Sequence, residues 1–208
     1  PEESAVDILT RKLGSTGLDV TVLGFGAMEL RGPKSPIPKG RPVDPVQAET
    51  ALNVVLDHGI NLIDTSIDYG ESEGLIGRFI SHRRNEFLLA SKCGCNADTD
   101  AVETGKAPRH IYSRENIING VELSLKRLNT DYLDLFQVHF PDRSVPIEET
   151  LRALDDLVRQ GKILYVGVSN FSAWETAEAV LTSRNFGLSP VISLQSDYSL
   201  LQRGVEKE

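Results

Sequence analysis

Long apolar runs are missing from this 208-residue chain, cysteine is rare, and positive charge is in the minority. Each scarcity removes a class of protein. No stretch approaches the ~20 consecutive apolar residues of a bilayer-crossing helix, so no membrane partner is expected. The first residues, Pro1-Glu2-Glu3-Ser4, lack the basic and then apolar regions of a secretory signal, and a cytoplasmic home is the simplest expectation. With 30 acidic residues against 22 Lys and Arg, the formal charge of −8 argues against nucleic acid, whose phosphates require clustered cations. The two cysteines sit together as Cys93-Gly94-Cys95. That spacing is not the Cys-x-x-Cys of redox proteins, and no second cluster completes a zinc site. Ordinary loop thiols and no metal are therefore expected.

What is present is a repeating alternation of strand and helix. A chain that is 40% hydrophobic and 25% charged has the makeup of one ordinary globular domain. Val20–Gly26 reads as a strand with a glycine exit, and residues before it are expected to add a hairpin through Gly14-Ser15-Thr16-Gly17. Asp44-Pro45 then signals a capped helix that stops at Gly59. Further strands are predicted at Leu62–Asp64, Phe87–Ser91, Leu133–His139, Ile163–Ser169 and Val191–Gln195. Between them come helices at 71–81, after the Ser113 cap, at 146–160, and after a Ser172…Glu175 capping box.

Short, apolar, non-alternating strands separated by helices specify a parallel sheet covered by helices. The expected class is α/β, a TIM (β/α)8 barrel. Such a barrel has eight strands and typically ~250 residues. Six of the eight βα units are legible, and one barrel domain over 1–208 lacking the last two is the expectation. An open barrel exposes sheet edges and apolar surface, so self-association or a complementing C-terminal segment is also expected. The rival is a doubly wound dinucleotide fold, suggested by Gly24-Phe25-Gly26-Ala27-Met28-Glu29. Glu29 replaces the third glycine, and Arg31-Gly32-Pro33 follows where the phosphate-binding helix should start. The context disfavours that fold.

Four polar residues stand at or just after strand ends: Asp64, Tyr69, Lys92 and His139. In a parallel barrel these ends open on one face, and that face carries the chemistry. A carboxylate, a phenol, an ammonium and an imidazole gathered there form a proton-transfer set. The remaining histidines, His58, His82 and His110, fall at a helix end, a junction and a loop, where surface placement is expected. Trp174 is expected to pack, and the Asn170-Phe171-Ser172 sequon to stay unmodified at its strand end. The loops 28–43 and 93–110 are expected to line a substrate pocket.

Ordered strings along nearly the whole chain resemble the aldo-keto reductases. They include Leu13-Gly14-Ser15-Thr16-Gly17-Leu18, Asn61-Leu62-Ile63-Asp64-Thr65 through Asp68-Tyr69-Gly70, Asp131-Tyr132-Leu133-Asp134-Leu135 through Val138-His139, Gly167-Val168-Ser169-Asn170 and Gln195-Ser196-Asp197-Tyr198. His139-Phe140-Pro141-Asp142 is similar to the branch with bacterial reductases and potassium-channel β subunits. The resemblance implies a catalytic tetrad of Asp64, Tyr69, Lys92 and His139 that reduces a small-molecule aldehyde or ketone.

It also implies NADPH (NADP+) across the barrel mouth. Ser169, Asn170 and Gln195 would bind the carboxamide, Tyr198 would stack on the nicotinamide, and Leu200 and Arg203 would lie near the pyrophosphate. The family segment that grips the adenosine 2′-phosphate lies beyond Glu208, which leaves the choice between NADP and NAD open. Tyr69 is expected to act as general acid, with Lys92 lowering its pKa from ~10. Asp64 is expected to hold Lys92, and His139 to orient the carbonyl. Two alternatives stand beside catalysis: a nucleotide-binding redox sensor that regulates a partner, and an inactive truncated barrel.

Overall fold

The computed structural model describes residues 8–33, 40–96 and 110–208. The chain first makes an antiparallel hairpin of β1 (Thr10–Lys12) and β2 (Asp19–Thr21). Its turn contains Gly14 and Gly17, both at positive φ. The single strand expected over Val20–Gly26 is in fact two. Thr21 Oγ1 donates to the Leu23 carbonyl at 2.7 Å, and the Thr21 amide donates to Asn61 Oδ1 at 2.8 Å. These bonds turn the chain out of the hairpin before β3 (Phe25–Gly26) enters the main sheet. A short 3-10 turn, Ala27–Arg31, follows.

That sheet has six parallel strands in consecutive order: β3, β4 (Leu62–Asp64), β5 (Leu88–Cys93), β6 (Leu133–Val138), β7 (Ile163–Ser169) and β8 (Val191–Gln195). Helices α1 (Pro45–Asp57), α2 (Ser72–Ile80), α3 (Arg114–Leu128), α4 (Ile147–Arg159) and α5 (Ala173–Asn185) join them. This is a barrel sheet through six of its eight units, as the alternation implies. The helix starts follow local chemistry. Asp44 accepts from the Val46 amide at 2.9 Å, Ser113 accepts from the Asn116 amide, and Ser172 and Glu175 form the reciprocal box.

The most buried strand, β6, is covered along its whole length. Its lower end carries Asp134, which accepts from the Leu89 amide at 2.8 Å and pairs with Arg84. Arg84 also donates to the carbonyls of Phe87 and Tyr132, so it ties the N-terminal ends of β5 and β6 together. On the outer side, Ser91 donates to Glu73 of α2, a fully buried carboxylate whose pKa is raised chiefly by burial. Ser91 and Lys92 are neighbours on β5 and point to opposite faces, which is why one serves helix packing and the other the interior.

Helices α2 and α3 approach closely at Gly77. A Cβ there would overlap the Arg127 carbonyl oxygen and the Leu128 backbone, and backbone cannot swing aside like a flexible side-chain end. Gly77→Ala is expected to destabilise the fold by about 1–3 kcal/mol through overpacking, despite the better helix propensity of alanine. Urea unfolding of the two proteins measures this. An unchanged or higher midpoint would show that the helices separate without cost.

Candidate active site

Register gathers the strand-end residues. Asp64 pairs with Ala90 across β4 and β5, and Lys92 lies two residues further along β5, opposite Gln137 of β6. The Lys92 side chain is only 2% exposed. Its ammonium donates to both Asp64 carboxylate oxygens, at 2.9 and 2.7 Å, and to the Thr65 carbonyl at 2.8 Å. All three of its N–H donors are thereby used. Gln137 Nε2 extends the network from Asp64 Oδ1 to Gln195 Oε1, at 3.4 Å to each. Sequence reasoning missed Gln137; the available signal was an amide within the apolar stretch 135–138, two residues before His139.

Tyr69 comes in on the turn between β4 and α2. Its amide donates to the Ser66 carbonyl, and Gly70 at positive φ turns the chain toward the helix. Lys92 Nζ lies 4.8 Å from the phenol ring centroid. The His139 ring meets the same phenol edge-on, at 6.1 Å between centroids. The Tyr69 pKa is nevertheless raised above its ordinary value. Burial is the largest cause; Lys92 opposes it, and the Asp64 charge adds to it. The expected downward pull of Lys92 is present, but desolvation of the phenolate outweighs it. At neutral pH Tyr69 therefore keeps its proton and can donate it.

His139, just past β6, is fixed through its backbone. Its amide donates to the Cys93 carbonyl at 3.1 Å, and its carbonyl accepts from Asn170 Nδ2 at 2.9 Å. Its Nδ1 faces Cys95 Sγ at 3.0 Å, Ser66 Oγ at 3.5 Å and Asp68 Oδ1 at 3.7 Å. This corrects the reading of the cysteines as loop thiols. Cys93 ends β5, Cys95 bridges to His110, and both are buried. Burial pushes the Cys93 thiol up to about 12 and the Cys95 thiol well above its ordinary value. His110 is half-buried rather than at the surface, 5.7 Å from the His139 ring and 4.8 Å from Phe140 between centroids. Trp174 is exposed instead of packed, with the Arg143 guanidinium over its ring. The loops expected to line a pocket fall partly on residues 34–39 and 97–109, which lie outside the described residues.

Ser169, Asn170 and Gln195 meet at the same end of the sheet. Ser169 pairs with Gln195 across β7 and β8, and the Asn170 amide donates to the Gln195 carbonyl at 2.9 Å. Asn170 sits at φ 60, a left-handed conformation that asparagine tolerates better than most side chains, and also donates to Ser169 Oγ. The three offer both donors and acceptors, the set that a carboxamide requires. A groove of about 710 Å³ runs from Asn170 between α5 and the segment after β8. On that segment Tyr198 and Arg203 are joined to each other through Glu206, and Leu200 is 89% exposed. The structure groups Tyr198 and Arg203 through that contact rather than with the strand-end residues.

Residues 22–208 match the model of the aldo/keto reductase family. The chain is 36% identical over 199 residues to aldo-keto reductase YhdN of Bacillus subtilis (strain 168), covering 94% of this chain and 55% of that protein. It is also similar to the crystal structure of a thermostable aldo-keto reductase, Tm1743, in complex with the inhibitor epalrestat. That match has a TM-score of 0.80 and 31% identity, covering 96% of this chain and 66% of the other. The chain thus spans about half the length of the Bacillus subtilis relative.

The buried thiols and phenol are expected to set an alkaline limit on stability. Unfolded, a cysteine ionises near pH ~8.5 and a tyrosine near ~10. Folded, Cys93 holds its proton to about 12, and Cys95 and Tyr69 are raised in the same direction. Above pH ~8.5 the native state binds more protons than the unfolded one, so stability from these groups is complete below that pH and is lost as pH rises. Urea unfolding between pH ~9 and ~11 is expected to give a falling free energy. Cys93→Ala should flatten the slope by up to one proton, ~1.4 kcal/mol per pH unit. An identical slope in the variant would show that burial does not protect this thiol.

Proposed function

The chain belongs to the aldo/keto reductase family, and from that premise we propose that it reduces an aldehyde or ketone to an alcohol, with NADPH as hydride donor and Tyr69 as general acid. The observation that carries this reading is buried Lys92, paired with half-buried Asp64, against the Tyr69 ring, with His139 edge-on to the same phenol. When bound, the nicotinamide supplies the hydride. Ser169, Asn170 and Gln195 would hold its carboxamide, and Tyr198, Leu200 and Arg203 would meet the ring and pyrophosphate. The donor-and-acceptor chemistry of the first three supports the fit.

The chain's own residues manage the proton. Tyr69 gives its hydroxyl proton to the carbonyl oxygen while the carbonyl carbon is reduced, so negative charge moves onto the phenol oxygen. Lys92 stabilises that charge, and its pulling effect on the phenol has the right sign. Asp64 and the Thr65 carbonyl hold the ammonium by accepting from all three of its donors. His139, gripped at both its amide and its carbonyl, orients the substrate oxygen. The substrate is a small carbonyl compound, and a cytoplasmic setting is proposed with it.

The test is the loss of NADPH absorbance with an aromatic aldehyde, run for the parent and for Tyr69→Phe. Turnover by the parent and a fall of about 10²–10⁴-fold in kcat for the variant are expected, the range for loss of a positioned acid. Equal turnover by both would remove Tyr69 from the mechanism. No turnover by either, with NADPH still bound by fluorescence, would replace the reductase by the redox-sensing reading.

A further inference from the structure

Around His139, a member of the proposed carbonyl site, four potential metal donors converge from different segments. Asp68 lies between β4 and α2, Cys95 lies two residues past β5, His110 leads toward α3, and His139 follows β6. One donor atom from each lies within 4.8 Å of every other, with three of the residues buried and His110 half-buried. The geometry points to a divalent-metal site made by Asp68, Cys95, His110 and His139, of the class that takes Zn²⁺.

Distance and chemistry both argue for it. Tetrahedral zinc with bonds of ~2.0–2.3 Å needs donor atoms roughly 3.3–3.8 Å apart. Here Cys95 Sγ and His139 Nδ1 are 3.0 Å apart, and Asp68 Oδ1 and His139 Nδ1 are 3.7 Å apart. No separation exceeds 4.8 Å, so reaching that tetrahedron takes a closure of at most about 1 Å. Two imidazoles and a thiol select a borderline ion over Mg²⁺ or Ca²⁺, which take oxygen ligands. A thiolate and a carboxylate balance the dication, so an occupied cluster leaves no net charge in the interior.

The supports are also those of a held ligand set. Cys95 and His110 form an isolated β-bridge, reinforced by the Ile111 amide donating to the Gly94 carbonyl at 2.7 Å. Asn116 Nδ2 donates to the carbonyls of both Cys95 and Ile111, fixing the backbone on each side of the bridge. Ser66 Oγ donates to Asp68 Oδ1 at 2.7 Å, the kind of outer contact that orients a ligating carboxylate. Because His139 belongs to both sites, metal occupancy is coupled to carbonyl binding. That consequence rests on the reductase reading, whereas the site itself does not.

The test is cobalt titration of the reduced, chelator-stripped protein, read by absorbance. One equivalent of Co²⁺ is expected to give a thiolate-to-cobalt charge-transfer band with the visible bands of tetrahedral coordination, and Zn²⁺ to abolish both. Cys95→Ser should lose the charge-transfer band, and His110→Gln should weaken binding at least ten-fold. Cys93→Ser, changed at a buried thiol outside the cluster, should keep the band. Circular dichroism establishes that each variant is folded, and His110→Gln at its half-buried position serves if Cys95→Ser is not. The inference is overturned if the parent gives no tetrahedral cobalt spectrum. It is equally overturned if folded Cys95→Ser keeps the charge-transfer band, or if folded His110→Gln binds as tightly as the parent. None of these readouts depends on turnover, so loss of the reductase reading would leave them intact.

Discussion

A lysine ammonium withdrawn from water must be answered by the protein, and the upper end of this sheet is organised around that demand. Lys92 is answered by two carboxylate oxygens and a carbonyl, all within 2.9 Å. Removing one partner of a buried pair generally costs about 3–5 kcal/mol, because the other charge is left stranded. The ends of β4 and β5 are therefore committed to one arrangement, and the turn that presents Tyr69 starts from that point. Gln137 then carries the network to Gln195 on β8, so the pair fixes relations across five strands.

Burial and charge compete at the phenol, and the outcome follows from their relative size. Lys92 would favour the phenolate, yet desolvation is the larger effect and the proton is retained. In the proposed reduction this suits an acid that must arrive protonated and release its proton only when charge develops next to it. Under that proposal the ammonium would contribute most when the phenol oxygen becomes negative, because a partly buried charge is screened less than one in bulk water. The charge of Lys92 is already paired with Asp64 and the Thr65 carbonyl in this structure, so the proposed step would require no rearrangement of that pair.

Much of this was legible along the chain. Alternating strands and helices specified a parallel sheet, and caps such as Asp44, Ser113 and Ser172 are local signals that need no tertiary knowledge. Asp64, Tyr69, Lys92 and His139 stand out in the sequence because each lies at or just after the end of a recognisable apolar strand. What could not be read was set by contacts distant in sequence. Asn61 breaks the expected strand at Thr21 from 40 residues away. Cys95 reaches His139 across 44 residues, so a Cys-x-Cys that looked like two loop thiols is one core residue and one member of a polar cluster. His110 belongs to that cluster for the same reason: a backbone bridge to Cys95 draws a loop histidine inward.

Strand β6 shows why fold and site are hard to separate in this chain. At one end Asp134 accepts a β5 amide and holds Arg84, and at the other Gln137 reaches Asp64 and Gln195. Both side chains are buried, and each would be costly without its partners. Between them the strand is apolar and its neighbours on both sides are in regular register. A one-residue slip would turn every side chain to the opposite face. It would strand Asp134 and Gln137 together, and would separate Lys92 from the level of Gln137 as well. The polar residues that bound this strand therefore specify its register more sharply than its apolar residues, because a misplaced leucine can repack while a misplaced buried carboxylate cannot. The same selection that secures the register secures the distance between Lys92 and His139, since both positions are read from β5 and β6.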